Sequence, residues 1–120
     1  MMSASENLIY TTAPAADAWI ELGALDDLFD DGECYGTVIN GLKIGLFYIE
    51  GQVYCVDDIC THGNALLSEG DLEGYEIECP LHAGAFDVRD GKALCSPLLK
   101  NTRVHNVRLD DGVVFVQLCA

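Results

Sequence analysis

Two short strings of the sequence hold the residues best suited to chemistry. Cys60-Thr61-His62 and Cys79-Pro80-Leu81-His82 are separated by the 16 residues from Gly63 to Glu78, so that together they read C-x-H-x16-C-x-x-H. Each string supplies one thiolate and one imidazole. Such loops can straddle a pair of irons, with two thiolates on one iron and two imidazoles on the other. The pattern predicts a [2Fe–2S] cluster bound by Cys60, His62, Cys79 and His82.

Other uses of these residue types explain the pattern less well. A tetrahedral Cys₂His₂ zinc site has the same ligands, but it commonly pairs cysteine with cysteine and histidine with histidine at short spacing. Isolated cysteines are usually small core residues. No two of the six cysteines form C-x-x-C, and a plant-type ferredoxin spacing that starts at Cys55 and Cys60 fails at Gly63. Zinc and a structural role for the cysteines remain the alternatives.

The other cysteines and the third histidine have no partner at ligand spacing. Cys34, Cys55 and Cys119 lie in apolar strand contexts, which predicts small core or surface thiols. We expect Cys95 to pack near the cluster without binding it. His105 lies in a polar strand, and we expect it at the surface.

Length and composition indicate one globular domain. The chain has 120 residues, half of them hydrophobic, with 12 Gly and 3 Pro, which is typical of a turn-rich folded protein. Its longest apolar runs have the length of strands, and the first ten residues lack the basic and apolar parts of a leader. We therefore expect a cytoplasmic protein that does not span a membrane.

The charge is strongly acidic and unevenly distributed. Six Lys and Arg against 20 Asp and Glu give a net charge of −14, and the first 42 residues contain no basic side chain. A second stretch without Lys or Arg runs from Ile44 to Val88. Nucleic acid and anionic membranes need cationic side chains and are excluded as partners, whereas a basic protein surface would be attracted. The acidic residues therefore serve either solubility alone or the steering of such a partner.

Short strands joined by tight turns predict an antiparallel all-β domain. Asn-Gly and Asp-Gly pairs are strong hairpin signals, because both positions of a type I′ turn need a positive φ. Turns are predicted at Asn40-Gly41, Glu50-Gly51, Asp90-Gly91 and Asp111-Gly112. The strands that flank them are Cys34–Ile39, Leu42–Ile49, Val53–Val56, Ala85–Val88, Lys92–Leu94, Val104–Leu109 and Val113–Leu118.

The remaining segments complete the predicted organisation. Residues 1–17 form a loose N-terminal arm, and residues 18–120 form the domain, which starts with a strand at Trp19–Leu22. Leu25–Phe29 is either a helical turn or a solvated loop. The segment from Asp57 to about Pro97 interrupts the strands with Cys, His, Pro and Gly, which predicts a subdomain that carries the site.

The two ligand strings resemble a known family. Cys60–His62 and Cys79–Val88 (CPLHAGAFDV) resemble the two boxes of Rieske ferredoxins that serve bacterial aromatic-ring dioxygenases, and Glu78–His82 and Gly91–Cys95 are similar to the naphthalene-dioxygenase type. Ala93–Pro97 resembles the proline-containing third loop of that family. The resemblance implies a Rieske fold, with a β-sandwich or barrel-like base and a small cluster-binding subdomain around one Rieske-type [2Fe–2S] cluster.

The same resemblance implies a function. We expect a soluble, monomeric one-electron carrier, not itself an enzyme, that connects an NAD(P)H-dependent flavin reductase to a terminal Rieske non-haem iron aromatic-ring dioxygenase. The alternative is a Rieske-like small subunit of a larger oxidoreductase such as nitrite reductase. The complete set of four ligands favours the carrier, because such sets are often incomplete in that other group.

Departures from the respiratory, high-potential Rieske proteins predict a low reduction potential. Ala65 and Leu81 stand where those proteins carry an additional disulfide between the loops. Gly84 and Phe86 stand where they carry a serine and a tyrosine that donate hydrogen bonds toward the cluster. Losing donors raises the energy of the reduced cluster, so we expect a potential at the low end of the Rieske range, roughly −150 mV.

Overall fold

Nine short strands dominate the computed structural model, which describes residues 18–30, 32–61, 65–80, 84–94 and 100–119. The all-β class is therefore confirmed, whereas the predicted N-terminal arm (residues 1–17) lies outside the described residues. None of the helices in this part of the chain has the length and apolar composition needed to cross a membrane. The strands are β1 (Trp19–Ala24), β2 (Cys34–Ile39), β3 (Leu42–Ile49), β4 (Gln52–Asp57), β5 (Asp71–Glu73), β6 (Glu76–Glu78), β7 (Ala85–Asp87), β8 (Val104–Asp110) and β9 (Val113–Gln117). A helical turn, α1 (Leu25–Leu28), and a 3₁₀ helix (Leu67–Glu69) complete the elements.

Tight turns set the register of the main hairpins. Asn40 and Gly41 have φ of 53° and 82° between β2 and β3, and Asp111 and Gly112 have φ of 53° and 78° between β8 and β9. Positive φ at both central residues matches the right-handed twist of the flanking strands. These hairpins are confirmed at the predicted positions. The turn at Asp90-Gly91 is followed by a single β-bridge between Phe86 and Ala93, so the predicted strand Lys92–Leu94 is wrong.

A curled six-stranded sheet in the order β1-β9-β8-β4-β3-β2 forms the base of the molecule. The sheet curls at β8, which pairs with β4 through Val104 and His105 and with β9 through Asn106–Asp110. One strand thereby joins two sheet segments, as expected for a barrel-like base. Its enclosed core includes Ile44, Leu46, Cys55, Val114 and Val116. The leucines of α1 pack against this core, which confirms the helical turn as one of the two predicted possibilities.

A small three-stranded sheet, β5-β6-β7, packs on the opposite face of β3 and β4. Leu72, Ile77 and Phe86 lie directly opposite one another across its strands, and they pack into a second core with Phe47 and Val56 of the base. The strands β5 and β6 were not predicted, because each is only three residues long and mostly acidic. The second ligand string lies between β6 and β7 of this sheet, and Cys60 of the first string packs into the same core.

His105 is buried, so the expectation that it lies at the surface is wrong. The residue is 2% exposed, and its Nε2 lies 2.7 Å from Asp57 Oδ1. The backbone N–H of Cys119 donates to His105 Nδ1 at 3.0 Å, which requires the neutral Nε2–H tautomer to donate to Asp57. Both ring nitrogens are thereby satisfied, which makes the burial of a polar ring tolerable.

Asp57 also joins the two points where the chain leaves and re-enters the base. It is the last residue of β4, and its carboxylate accepts from Arg103 Nε at 3.2–3.3 Å. Its backbone N–H donates to the carbonyl of Arg103 at 2.9 Å. Residues 58–102, which contain both ligand strings, are thus closed at their base by one carboxylate and a backbone hydrogen bond.

Candidate metal centre

The first ligand string lies on a loop closed by its own cysteine. The backbone N–H of Cys60 donates to the carbonyl of Ala65 at 2.9 Å, and Ile59 and Leu66 form an antiparallel bridge just outside the loop. Cys60 is 2% exposed. We refer to residues 60–65 as loop 1.

The second ligand string lies on a loop of the same design. The backbone N–H of Cys79 donates to the carbonyl of Gly84 at 2.9 Å, and Glu78 pairs with Ala85 at the end of the β6–β7 hairpin. Cys79 is also 2% exposed. We refer to residues 79–84 as loop 2. In both loops the cysteine amide reaches the carbonyl of the residue five positions later, so the two cysteines begin their loops in matching settings.

The structure brings Cys60 and Cys79 into one apolar core, in which Leu67, Ile77 and Phe86 are also buried. His62 and His82 follow these cysteines within the loops and lie outside the described residues. Within the described part of the chain no three potential ligands form a metal site, because two of the four candidates are not among those residues. Two buried cysteines on matching loops fit the sulfur half of the predicted donor set, since soft thiolates suit iron–sulfur clusters.

Gly70 places the segment that follows loop 1 against the residue that precedes loop 2. It follows the 3₁₀ helix, and its Cα lies so close to the carbonyl of Glu78 that a side chain at this position would collide with that backbone oxygen. Glu78 directly precedes Cys79. The absence of a side chain at Gly70 therefore sets the separation of the two loops.

A third segment is attached to both loops at its ends. The backbone N–H of Leu94 donates to the carbonyl of Ala85 beside loop 2, and Thr61 Oγ1 in loop 1 donates to the carbonyl of Lys100, each at 2.9 Å. The residues between Leu94 and Lys100 include Cys95 and Pro97 of the predicted third loop and lie outside the described residues. The flanks of this segment are therefore held at the two ligand loops.

Cys34 and Cys55 lie where burial and acidic neighbours disfavour the thiolate form. Burial, together with nearby Glu33 and Asp58, raises the pKa of Cys34. Burial, followed by the charges of Asp57 and Asp58, raises the pKa of Cys55 more strongly. Because a thiolate is the form that binds metal, a raised pKa opposes ligation. Cys55 is a core residue and Cys34 and Cys119 are half-buried, which matches the prediction of core or surface thiols.

The outer face of the small sheet is acidic. Asp71 lies opposite Glu78, Glu73 opposite Glu76, and Glu76 opposite Asp87. Like charges in directly opposite positions destabilise a sheet. A hydrogen bond from Arg89 lowers the pKa of Asp87, and the two side chains form an ion pair of 2.7 Å. We call Asp71, Glu73, Glu76 and Glu78 the acidic sheet face, and β6 leads from this face directly into Cys79.

Sequence reasoning missed Asp58, which anchors loop 1. Asp58 is 2% exposed, and its two carboxylate oxygens accept the backbone N–H and the hydroxyl of Ser68, each at 2.6 Å. Its carbonyl accepts the N–H of Leu67 at 2.7 Å. The available signal was a charged residue two positions before Cys60, but nothing in the sequence pointed to Ser68 as its partner.

Residues 18–109 match the family model of the Rieske [2Fe-2S] domain. This chain belongs to the Rieske [2Fe–2S] family. A ferredoxin component of the naphthalene 1,2-dioxygenase/salicylate 5-hydroxylase systems from Ralstonia sp. is 46% identical over 100 residues, which are 83% of this chain and 95% of the relative. The resemblance to naphthalene-type Rieske ferredoxins is confirmed.

Solved structures share the Rieske fold. A complex of reduced oxygenase and oxidised ferredoxin in carbazole 1,9a-dioxygenase contains a chain with a TM-score of 0.76 and 34% identity, covering 84% of this chain and 94% of that one. A proposed NADH-dependent nitrite reductase small subunit from Mycobacterium tuberculosis has a TM-score of 0.73 and 26% identity, covering 86% and 96%. The Rieske domain carries one [2Fe–2S] cluster, and the matched loops fit that group.

Replacing Gly70 by alanine should separate the two loops of the Rieske domain. The methyl group would meet the Glu78 carbonyl, so backbone must move, and we expect a loss of about 2 kcal/mol in the free energy of unfolding together with less iron bound per chain. Gly74→Ala, in the open β5–β6 turn, adds backbone strain at its positive φ without a collision. Chemical denaturation and iron analysis compare the variants, and equal iron content in both would contradict this role for Gly70.

Proposed function

We propose that this protein is the ferredoxin of an aromatic-ring dioxygenase system, which accepts one electron from an NAD(P)H-dependent flavin reductase and passes it to a terminal Rieske oxygenase. The observation that carries the proposal is the pair of matching loops that buries Cys60 and Cys79 in one core. The likeness to ferredoxin components of dioxygenase systems supports it. The protein itself changes no bond of the aromatic substrate, so we propose a carrier and not an enzyme.

We propose that Cys60 and Cys79 bind one iron and that His62 and His82 bind the other. A bound Rieske cluster supplies reversible one-electron chemistry. The protein contributes a partly dry setting, because buried Leu67 and Phe86 belong to the same apolar core as both cysteines. We place the cluster-binding subdomain at about residues 57–97 and the Rieske domain at residues 18–120.

The reduction potential should lie near the low end of the Rieske range, roughly −150 mV. Phe86 is fully buried and offers no hydroxyl, and Gly84 has no side chain at all. Fewer donors near the cluster leave the added electron less stabilised. A low potential suits delivery of electrons to an oxygenase.

The carrier is better supported than a nitrite reductase small subunit. The nitrite reductase neighbour is 26% identical, whereas the ferredoxin component from Ralstonia sp. is 46% identical. The carbazole structure shows that a similar ferredoxin forms a complex with its oxygenase. We propose that this protein does the same as a cytoplasmic monomer, and that it dissociates from each of its two partners in turn.

The four proposed ligands should be individually required for the cluster. We expect Cys60→Ser, Cys79→Ser, His62→Ala and His82→Ala to lose most bound iron and sulfide together with the visible absorption of the reduced and oxidised forms. Loss occurs because each iron needs both of its protein ligands.

Cys34→Ser is the matched control, since Cys34 lies outside the two loops and the change should leave the iron and sulfide content unchanged. Metal and sulfide analysis of the purified proteins checks the prediction. A wild-type protein that contains zinc, or ligand variants that retain a full cluster, would contradict the assignment.

Electron transfer should depend on salt, because the acidic sheet face leads to the cluster-binding loop 2 and would steer a basic partner. We expect the second-order rate of reduction by a flavin-dependent ferredoxin reductase to fall by about tenfold between low and high salt. Glu73→Gln with Glu76→Gln should flatten this dependence.

Asp26→Asn with Asp27→Asn makes the same change of charge on α1 and should leave the salt dependence intact. Stopped-flow measurements over a salt series distinguish the variants. A rate that stays constant with salt, or equal effects of the two pairs, would remove the support for steering by this face.

A further inference from the structure

Asp58 places a buried carboxylate beside the first ligand loop. It lies two residues before Cys60, so the two Cα atoms are at most about 7 Å apart. Its hydrogen-bond donors are the backbone amide and the hydroxyl of Ser68, which are both neutral. These bonds hold the carboxylate in place but leave its negative charge uncompensated.

Neighbouring charges offer little compensation. Asp57, the adjacent residue, is paired with Arg103, whereas Asp58 forms no ion pair within the part of the chain that the structure describes. Lys43 lines a surface pocket of about 350 Å³ together with Asp58, but Lys43 is exposed and its charge is screened by water. Gly45 packs against the other side of the carboxylate, where an added Cβ would lie 2.7 Å from Oδ1.

The charge of Asp58 already acts on other groups of the protein. Burial is the main cause of the raised pKa of Cys34 and of Cys55, and Asp58 contributes to the rise of both. These thiols lie on β2 and β4, on two different strands of the base. The charge of Asp58 therefore acts on two thiols of the base.

We propose that Asp58 is a tuning residue that lowers the reduction potential of the cluster by placing a fixed negative charge beside the ligand loop. This inference rests on the proposed function, because it requires a cluster at Cys60. Reduction adds an electron and hence one more negative charge to the site. A buried like charge opposes that addition more strongly than an exposed one, since less water screens it.

Asp58→Asn tests the charge with little change of shape. The asparagine oxygen can accept the Ser68 amide while its nitrogen donates to the Ser68 hydroxyl, so the anchor of loop 1 is retained. We expect the equilibrium constant for one-electron reduction to rise about tenfold, which corresponds to a midpoint potential about 59 mV more positive. Spectroscopic redox titration of the purified holoprotein at one fixed pH measures the change.

Two control variants separate charge from position. Glu78→Gln removes an exposed carboxylate directly before Cys79, and Ser68→Ala removes one anchoring hydrogen bond while the charge of Asp58 remains. Both should change the equilibrium constant less than twofold. An unchanged potential in Asp58→Asn, or a shift of equal size in either control, would overturn the proposal.

A further pair of variants applies if Asp58→Asn fails to fold. Ser68 is half-buried and its hydroxyl lies 2.6 Å from Asp58 Oδ2, so Ser68→Lys places a cation against the carboxylate and Ser68→Gln places a polar chain without charge there. Ser68→Lys alone should raise the potential, and equal potentials would contradict the proposal. Wild-type protein without a cluster spectrum would instead refute the proposed function, whereas an intact cluster with unshifted potential refutes only the tuning role.

Discussion

The loops that begin at Cys60 and Cys79 must lie side by side if their proposed thiolate ligands are to reach one iron, and the rest of the structure maintains that arrangement. Cys60 and Cys79 are brought together by loops of equal span, each closed by the amide of its own cysteine. Both cysteines are packed in one apolar core. The close contact of Gly70 with the backbone of Glu78 then fixes how far apart the loops lie.

The base holds this arrangement through a pair of adjacent acidic residues. Asp57 contacts Arg103 and His105 and closes the junction with the base, whereas Asp58 contacts Ser68 and anchors loop 1. Successive side chains of an extended segment point to opposite sides, so one dipeptide can serve both tasks. Asp57 has a cationic partner and contributes to the fold. Asp58 has neutral donors, which leaves its charge available to act on the site.

Local signals in the sequence predicted most of the base and singled out Cys60 and Cys79, which the structure buries in one core. Asn40-Gly41 and Asp111-Gly112 define their hairpins because the turn conformation depends on those residues alone. The burial of His105 could not be predicted, because it depends on Asp57, 48 positions earlier in the chain. The strands β5 and β6 were not predicted for a related reason. Each has three residues, two of them acidic, and forms a strand only because Leu72 or Ile77 packs into the core.

The proposed imidazole ligands His62 and His82 distinguish a Rieske cluster from other iron–sulfur sites that use cysteine. Pulsed electron paramagnetic resonance of the reduced protein, labelled with ¹⁵N in histidine, measures nitrogen coupled to the iron pair directly. We expect coupling from two histidine nitrogens in the wild-type protein. A reduced cluster that shows no histidine nitrogen, or a coupling that disappears when His105 is replaced, would contradict it.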